Sequence, residues 1–186
     1  MGILLAFAPF IVFAVVDRFA GGTAGLLAGA AVSAALVLRD WFGVGRKPKI
    51  LEIGTVILFG VLAIYAVLTN PTWSIIGVRL RVDAGLLLIV VFSMALRRPF
   101  TLQYAREQVA REIWGNPIFI RTNYIITAVW AAAFAVTVIS DVVLLCAADL
   151  TPAVGIAATA VAIAGAFKFT AWYPKRVRAS TANLAH

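Results

Sequence analysis

Residues 119–146 read FIRTNYIITAVWAAAFAVTVISDVVLLC, a mostly apolar run whose only charged residues are Arg121 near its start and Asp141 near its end. At about 1.5 Å per residue, a helix of this length crosses the roughly 30 Å hydrocarbon core of a bilayer and must tilt or overhang it. Similar runs lie on both sides, at 2–20, 21–39, 51–69, 80–96 and 152–172. Of the 186 residues, 63% are hydrophobic and 13% charged, whereas a soluble domain carries about a quarter charged residues. These runs predict an all-α integral membrane bundle of six transmembrane helices. Residues 1–175 would form one transmembrane domain, and 176–186 a short basic and polar tail without fixed structure.

The first run is short and carries Pro9. It lacks both the basic start and the small-residue cleavage site of a secretory signal, so a retained helix is expected. The second run is rich in Gly and Ala, residues that let helix backbones approach closely in lipid; its small face would pack inside the bundle or in a homodimer. The segment 70–81, NPTWSIIGVRLR, reads as a turn carrying an interfacial Trp73, and AADLTP at 147–152 as a tight turn.

Charge sets the orientation. Six crossings place Arg39, Arg46, Lys47, Lys49, Arg97, Arg98, Arg106, Arg111, Arg121, Lys168, Lys175, Arg176 and Arg178 on one side. Only Arg18, Arg79 and Arg81 of the 16 basic residues fall on the other. Cytoplasmic loops are enriched in Lys and Arg, so both termini are expected in the cytoplasm. The net charge of +8 then reads as attraction to anionic lipid headgroups, with no nucleic-acid partner expected.

The longest polar interruption, 97–117 (RRPFTLQYAREQVAREIWGNP), becomes the cytoplasmic link between helices four and five. Pro99 stops the preceding helix and Thr101 can cap a new one. Leu102, Ala105, Val109 and Ile113 recur at helical spacing and predict a short amphipathic interfacial helix over 101–114, its apolar side among lipid tails. Gln103, Arg106, Gln108 and Arg111, with Trp114 before the Gly115–Asn116–Pro117 break, are candidate contacts for a protein partner; Glu107 and Glu112 share the wet side.

Ionisable groups inside a membrane are functional candidates because each costs about 2.5–3.5 kcal/mol at the core centre on insertion scales. Asp17, Arg18, Glu52, Arg79, Arg81 and Asp83 lie near run ends, where headgroups or water are within reach. Asp83 follows Arg79 at i,i+4, the spacing of a helical ion pair. Asp141 is the best candidate for a buried carboxylate, and Arg79 or Arg81 could neutralise it.

The only histidine is His186 and the only cysteine Cys146, so imidazole catalysis, a Cys/His metal cluster and an internal disulfide are not expected. Ser74, Ser93 and Ser140 have no neighbouring lysine, and Gly43–Val44–Gly45 lacks the spacing of a phosphate loop. Trp41, Trp73, Trp114 and Trp172 fit an aromatic belt, while Trp130 is a packing residue inside a helix. No enzyme, cofactor or metal site is expected.

Several residues carry a family likeness: Phe7-x-Pro9 with Phe13, the basic hinge at 46–49, Arg98–Pro99 with Gln103, Trp130–Ala131 with Phe134, and Tyr173–Pro174–Lys175. In this order and spacing they resemble the intracellular septation protein A (YciB) family of small bacterial inner-membrane proteins. That family tends to have an asparagine three residues before the fifth-helix tryptophan. Thr127 stands there in this chain, with Asn123 one turn earlier; both are intramembrane polar candidates. The resemblance implies a multi-pass inner-membrane protein that supports envelope maintenance, septation and cell division through other membrane proteins. The competing expectation is a small transporter or a proton or ion channel using Asp141 and Asp83.

Overall fold

The computed structural model describes residues 5–43, 48–147 and 152–183. Residues 148–151 of the turn expected at 147–152, Arg46 and Lys47 of the basic hinge, and the last three residues lie outside them. Among the described residues there are seven α-helices and no strand: α1 (Ala8–Ala20), α2 (Gly22–Phe42), α3 (Ile50–Thr69), α4 (Ile75–Ala95), α5 (Phe100–Arg106), α6 (Pro117–Cys146) and α7 (Pro152–Asn183). The chain divides into two compact units, 1–89 and 90–186.

Among the described residues, four helices, not six, are long and apolar enough to cross a membrane: α2, α3, α6 and α7. The other two fall short for different reasons. With 13 residues, α1 spans about 20 Å, less than the hydrocarbon core. Helix α4 has 21 residues but starts at Ile75, earlier than the charge pattern implied, so Arg79, Arg81 and Asp83 all enter its first half. Ser74 permits this early start because its Oγ accepts from the Gly77 N–H at 3.0 Å and satisfies one of the first-turn donors. The expected turn over 70–81 therefore shrinks to 70–74.

In the first unit, α1 and α2 form a helical hairpin joined at Gly21, whose φ of +85° an L-residue adopts only with strain. Gly25, Gly29 and Ser33 of α2 face inward. A Cβ on Gly25 would stand 3.0 Å from the Asp17 backbone nitrogen, and one on Gly29 would stand 2.6 Å from the Phe59 ring. Phe59 is fully buried between Phe10 and Phe13 at centroid distances of 5.2 and 5.7 Å, and Leu26, Ala63, Val78 and Val82 complete this core. The stripe of Gly and Ala thus supplies close internal approach, the mechanism by which helices associate without a hydrophobic driving force.

In the second unit, α6 and α7 pack along their length around Trp130. Its indole N–H donates to Thr170 Oγ1 at 2.9 Å, and its ring meets Phe167, Phe134 and Phe100. Asn116 caps α6 by accepting from the Ile118 and Phe119 N–H groups, with Pro117 in the first turn. Helix α7 continues through Pro174 to Asn183, so the segment after Tyr173 is helical rather than an unstructured tail. Proline there removes one i,i−4 bond, and the flanking Ala, Lys and Arg favour helix enough to carry it across.

Candidate functional site

The link 97–117 departs from the single amphipathic helix expected over 101–114. Helix α4 ends at Ala95, and Arg97 takes a left-handed conformation at φ 56° while the Arg98 N–H returns to the Ser93 carbonyl at 2.9 Å. Ser93 Oγ then accepts from the Phe100 N–H at 3.2 Å, and α5 starts there with no side-chain cap. After seven residues it breaks, and only a 3-10 turn at Arg111–Ile113 follows.

Thr101 is not the cap. Its hydroxyl donates to the Asn123 carbonyl at 2.9 Å and lies 2.7 Å from Thr127 Oγ1, both on α6. Phe100, Leu102 and Tyr104 are buried beside it, so the inner side of α5 packs on protein instead of lipid. The pair of threonines gives Thr127 a definite job in the structure. Asn123 contributes its carbonyl, and its amide donates to the Phe119 carbonyl at 2.9 Å.

The proposed contact residues separate into two groups. Trp114 folds back: its indole N–H donates to the Arg106 carbonyl at 3.1 Å, and Arg106 Nη2 donates to the Trp114 carbonyl at 3.5 Å. Both the Arg106 and Arg111 guanidiniums lie over the Trp114 ring, at 5.6 and 5.8 Å. This local clasp closes the segment 106–114. Gln108 and Arg111 are exposed, as are Glu107 and Glu112, while Gln103 reaches back to the Arg98 carbonyl at 3.4 Å. The result is a polar ridge held to α6 by buried threonines and folded on itself by one tryptophan.

A second polar constellation, which the sequence reading did not join, lies in the first unit. Lys49 Nζ sits 3.2 Å from Asp40 Oδ2 and 3.4 Å from Glu52 Oε1, and Arg39 Nη2 sits 2.8 Å from Asp40 Oδ1. Asp40, Lys49 and Glu52 are all buried, and Glu52 Oε2 also accepts from the Lys49 backbone N–H at 3.1 Å. Glu52 therefore does not reach for headgroups; it helps tie the end of α2 to the start of α3. The available signal was the lone Asp40 ending an apolar run and the i,i+3 spacing of Lys49 and Glu52. Asp17 is likewise buried, at the close crossing of α1 and α2 beside Gly25.

Arg79 and Asp83 do form the i,i+4 ion pair, at 3.6 Å and partly exposed. Arg81 stacks 4.3 Å from the Trp73 ring centre and donates to the Gly77 carbonyl at 2.6 Å, while Trp73 stacks flat on Tyr65 at 5.3 Å. Both arginines are thus engaged around the start of α4. Asp141 is fully buried on α6. Among the described residues no group of three His, Cys, Asp or Glu side chains is placed to hold a metal. Comparison with known proteins finds no matching family model, no matching curated protein and no matching solved structure.

Proposed function

We propose that this protein is a non-enzymatic multi-pass protein of the bacterial inner membrane, both termini cytoplasmic, that supports envelope maintenance and septation by contacting other membrane proteins. The observation that carries the reading is the link 97–117. Buried threonines fasten it to α6, yet it presents Gln108, Arg111, Glu107 and Glu112 outward. The resemblance to the septation protein A family supplies the cellular setting. The membrane itself is supported by the outward apolar sides of the four long helices, which bury only 11–33% of their most apolar windows. Such surfaces are stable in lipid and costly in water.

Six crossings remain the preferred topology. Leu88, Val91 and Phe92 of α4 face outward, which suits lipid, and its charges cluster near one end, paired or stacked. A short α1 is accommodated by local thinning of the bilayer. If α1 and α4 did not cross, Arg39, Arg46, Lys47 and Lys49 would face the opposite side from 97–117. Single cysteines at 45 and 108, in a Cys146→Ala background, distinguish the two by impermeant maleimide labelling. Labelling from the cytoplasmic side at both supports six crossings, and labelling from opposite sides overturns them.

Photo-crosslinking probes at Gln103, Gln108 and Glu112 in native membranes test the contact role. Reproducible crosslinks to division or elongation proteins, lost on joint substitution of Gln108 and Arg111, are expected. Crosslinks to lipid alone would remove the function from this segment. The transporter reading rests on the fully buried Asp141. Flux into liposomes that falls on Asp141→Asn would replace the contact reading with that one.

A further inference from the structure

Helix α7 carries an outward face that neither the helix packing nor the contact role uses. From Pro152 to Asn183 it has four cations, Lys168, Lys175, Arg176 and Arg178, and no Asp or Glu. An open groove of about 290 Å³ on this helix is lined by Gly165, Lys168, Phe169 and Trp172. With 3.6 residues per turn, Lys168, Trp172, Lys175 and Arg176 share one side, and Gly165 lies one turn below as a notch without a side chain. Arg176 lies over the Trp172 ring at 5.2 Å, which holds a guanidinium at the upper rim of the groove.

The same side continues downward without charge. Val161 is 73% exposed and Val154 59% exposed, and Ala157 is exposed between them. From Val154 to Lys168 this apolar track runs about 21 Å, more than half of a hydrocarbon core of roughly 30 Å. One face of one helix therefore presents a long apolar track, then a notch, then a cluster of cations with an aromatic floor. A ligand complementary to it has an acyl chain and a negative headgroup joined in that order.

We propose that this face of α7 binds an anionic phospholipid, its phosphate between Lys168 and the Lys175–Arg176 pair and one acyl chain along Gly165, Val161 and Val154. The site rests on the reading of the chain as a membrane protein and adds to it a ligand of stated charge. A neutral phosphatidylcholine offers the same chains without net charge, so the cations would discriminate between the two. Soluble glycerol phosphate offers the charge without the chains and leaves the apolar track unfilled.

Native mass spectrometry of the full chain, purified in mild detergent and titrated with phosphatidylglycerol or phosphatidylcholine, tests this. Phosphatidylglycerol should be retained preferentially, and Lys168→Gln should weaken it about five-fold, the factor for one basic residue near an anionic surface. Gly165→Leu, which fills the notch, should also weaken it, whereas Lys168→Arg should retain it. Equal retention of both lipids, or unchanged phosphatidylglycerol retention in Lys168→Gln and Gly165→Leu proteins of native helicity, overturns the site. Displacement by glycerol phosphate at equal concentration would also overturn it, leaving a phosphate site without a lipid. Failure of the membrane reading looks different: the protein would stay monodisperse in buffer without detergent.

Discussion

Replacing Gly29 and Gly60 by alanine should move stability in opposite directions, although both are helical glycines in one unit. A Cβ on Gly29 would lie 2.6, 2.7 and 3.0 Å from three carbons of the Phe59 ring. Carbon contacts are best at about 3.5–4.0 Å, so the ring or the helix would have to yield by about 1 Å. Phe59 is fully buried and flanked by Phe10 and Phe13, which leaves the ring little room to turn aside. Overpacking of this kind costs about 1–3 kcal/mol, while alanine's helix propensity returns about 1 kcal/mol. A net loss of up to about 2 kcal/mol is expected for Gly29→Ala. Nothing lies within 4 Å of a Cβ on Gly60, so Gly60→Ala keeps the propensity gain of up to about 1 kcal/mol. Unfolding by increasing SDS mole fraction in mixed micelles, followed by far-UV circular dichroism, measures both. Phe59→Leu should partly rescue Gly29→Ala, with a coupling of about 1 kcal/mol in a double-mutant cycle. Equal effects of the two alanines, or zero coupling, would show that α2 and α3 do not approach as closely as the structure has them.

Other substitutions test the remaining polar ties. Lys49→Met leaves Asp40 and Glu52 buried with one cation removed; breaking such a pair costs about 3–5 kcal/mol, and Arg39 on Asp40 holds the loss to the lower end. Changing Asp40, Lys49 and Glu52 together to Asn, Gln and Gln should cost less than Lys49→Met alone in the same unfolding assay. Thr101→Val should loosen α5 by about 1 kcal/mol, read as faster amide exchange across 100–106, and adding Thr127→Val should cost little more because the two hydroxyls share one bond. Trp130→Phe should cost about 1 kcal/mol through the lost donor to Thr170, and Trp130→Ala about 3–5 kcal/mol through the cavity as well, both measured by thermal unfolding in detergent.

Composition and local periodicity alone determine that this is an all-helical chain with helices of membrane length, because a helix closes its hydrogen bonds within one segment. The same local rules foretell the Arg79–Asp83 pair and the close-packing use of the small residues in α2. Locality also misleads. The spacing of Leu102, Ala105, Val109 and Ile113 suits one helix over 101–114, but the fold-back of Trp114 onto Arg106 and the docking of Thr101 on α6 divide it. Asp40 meets Lys49 across nine positions and Thr101 meets Thr127 across 26. Such meetings depend on where helices cross and how each is rotated about its axis. Thr101 looked like a local cap and Glu52 like a carboxylate bound for headgroups, yet both are buried against polar partners. Only the tertiary structure supplies the partner that makes burial less costly than exposure, because that partner lies on another helix.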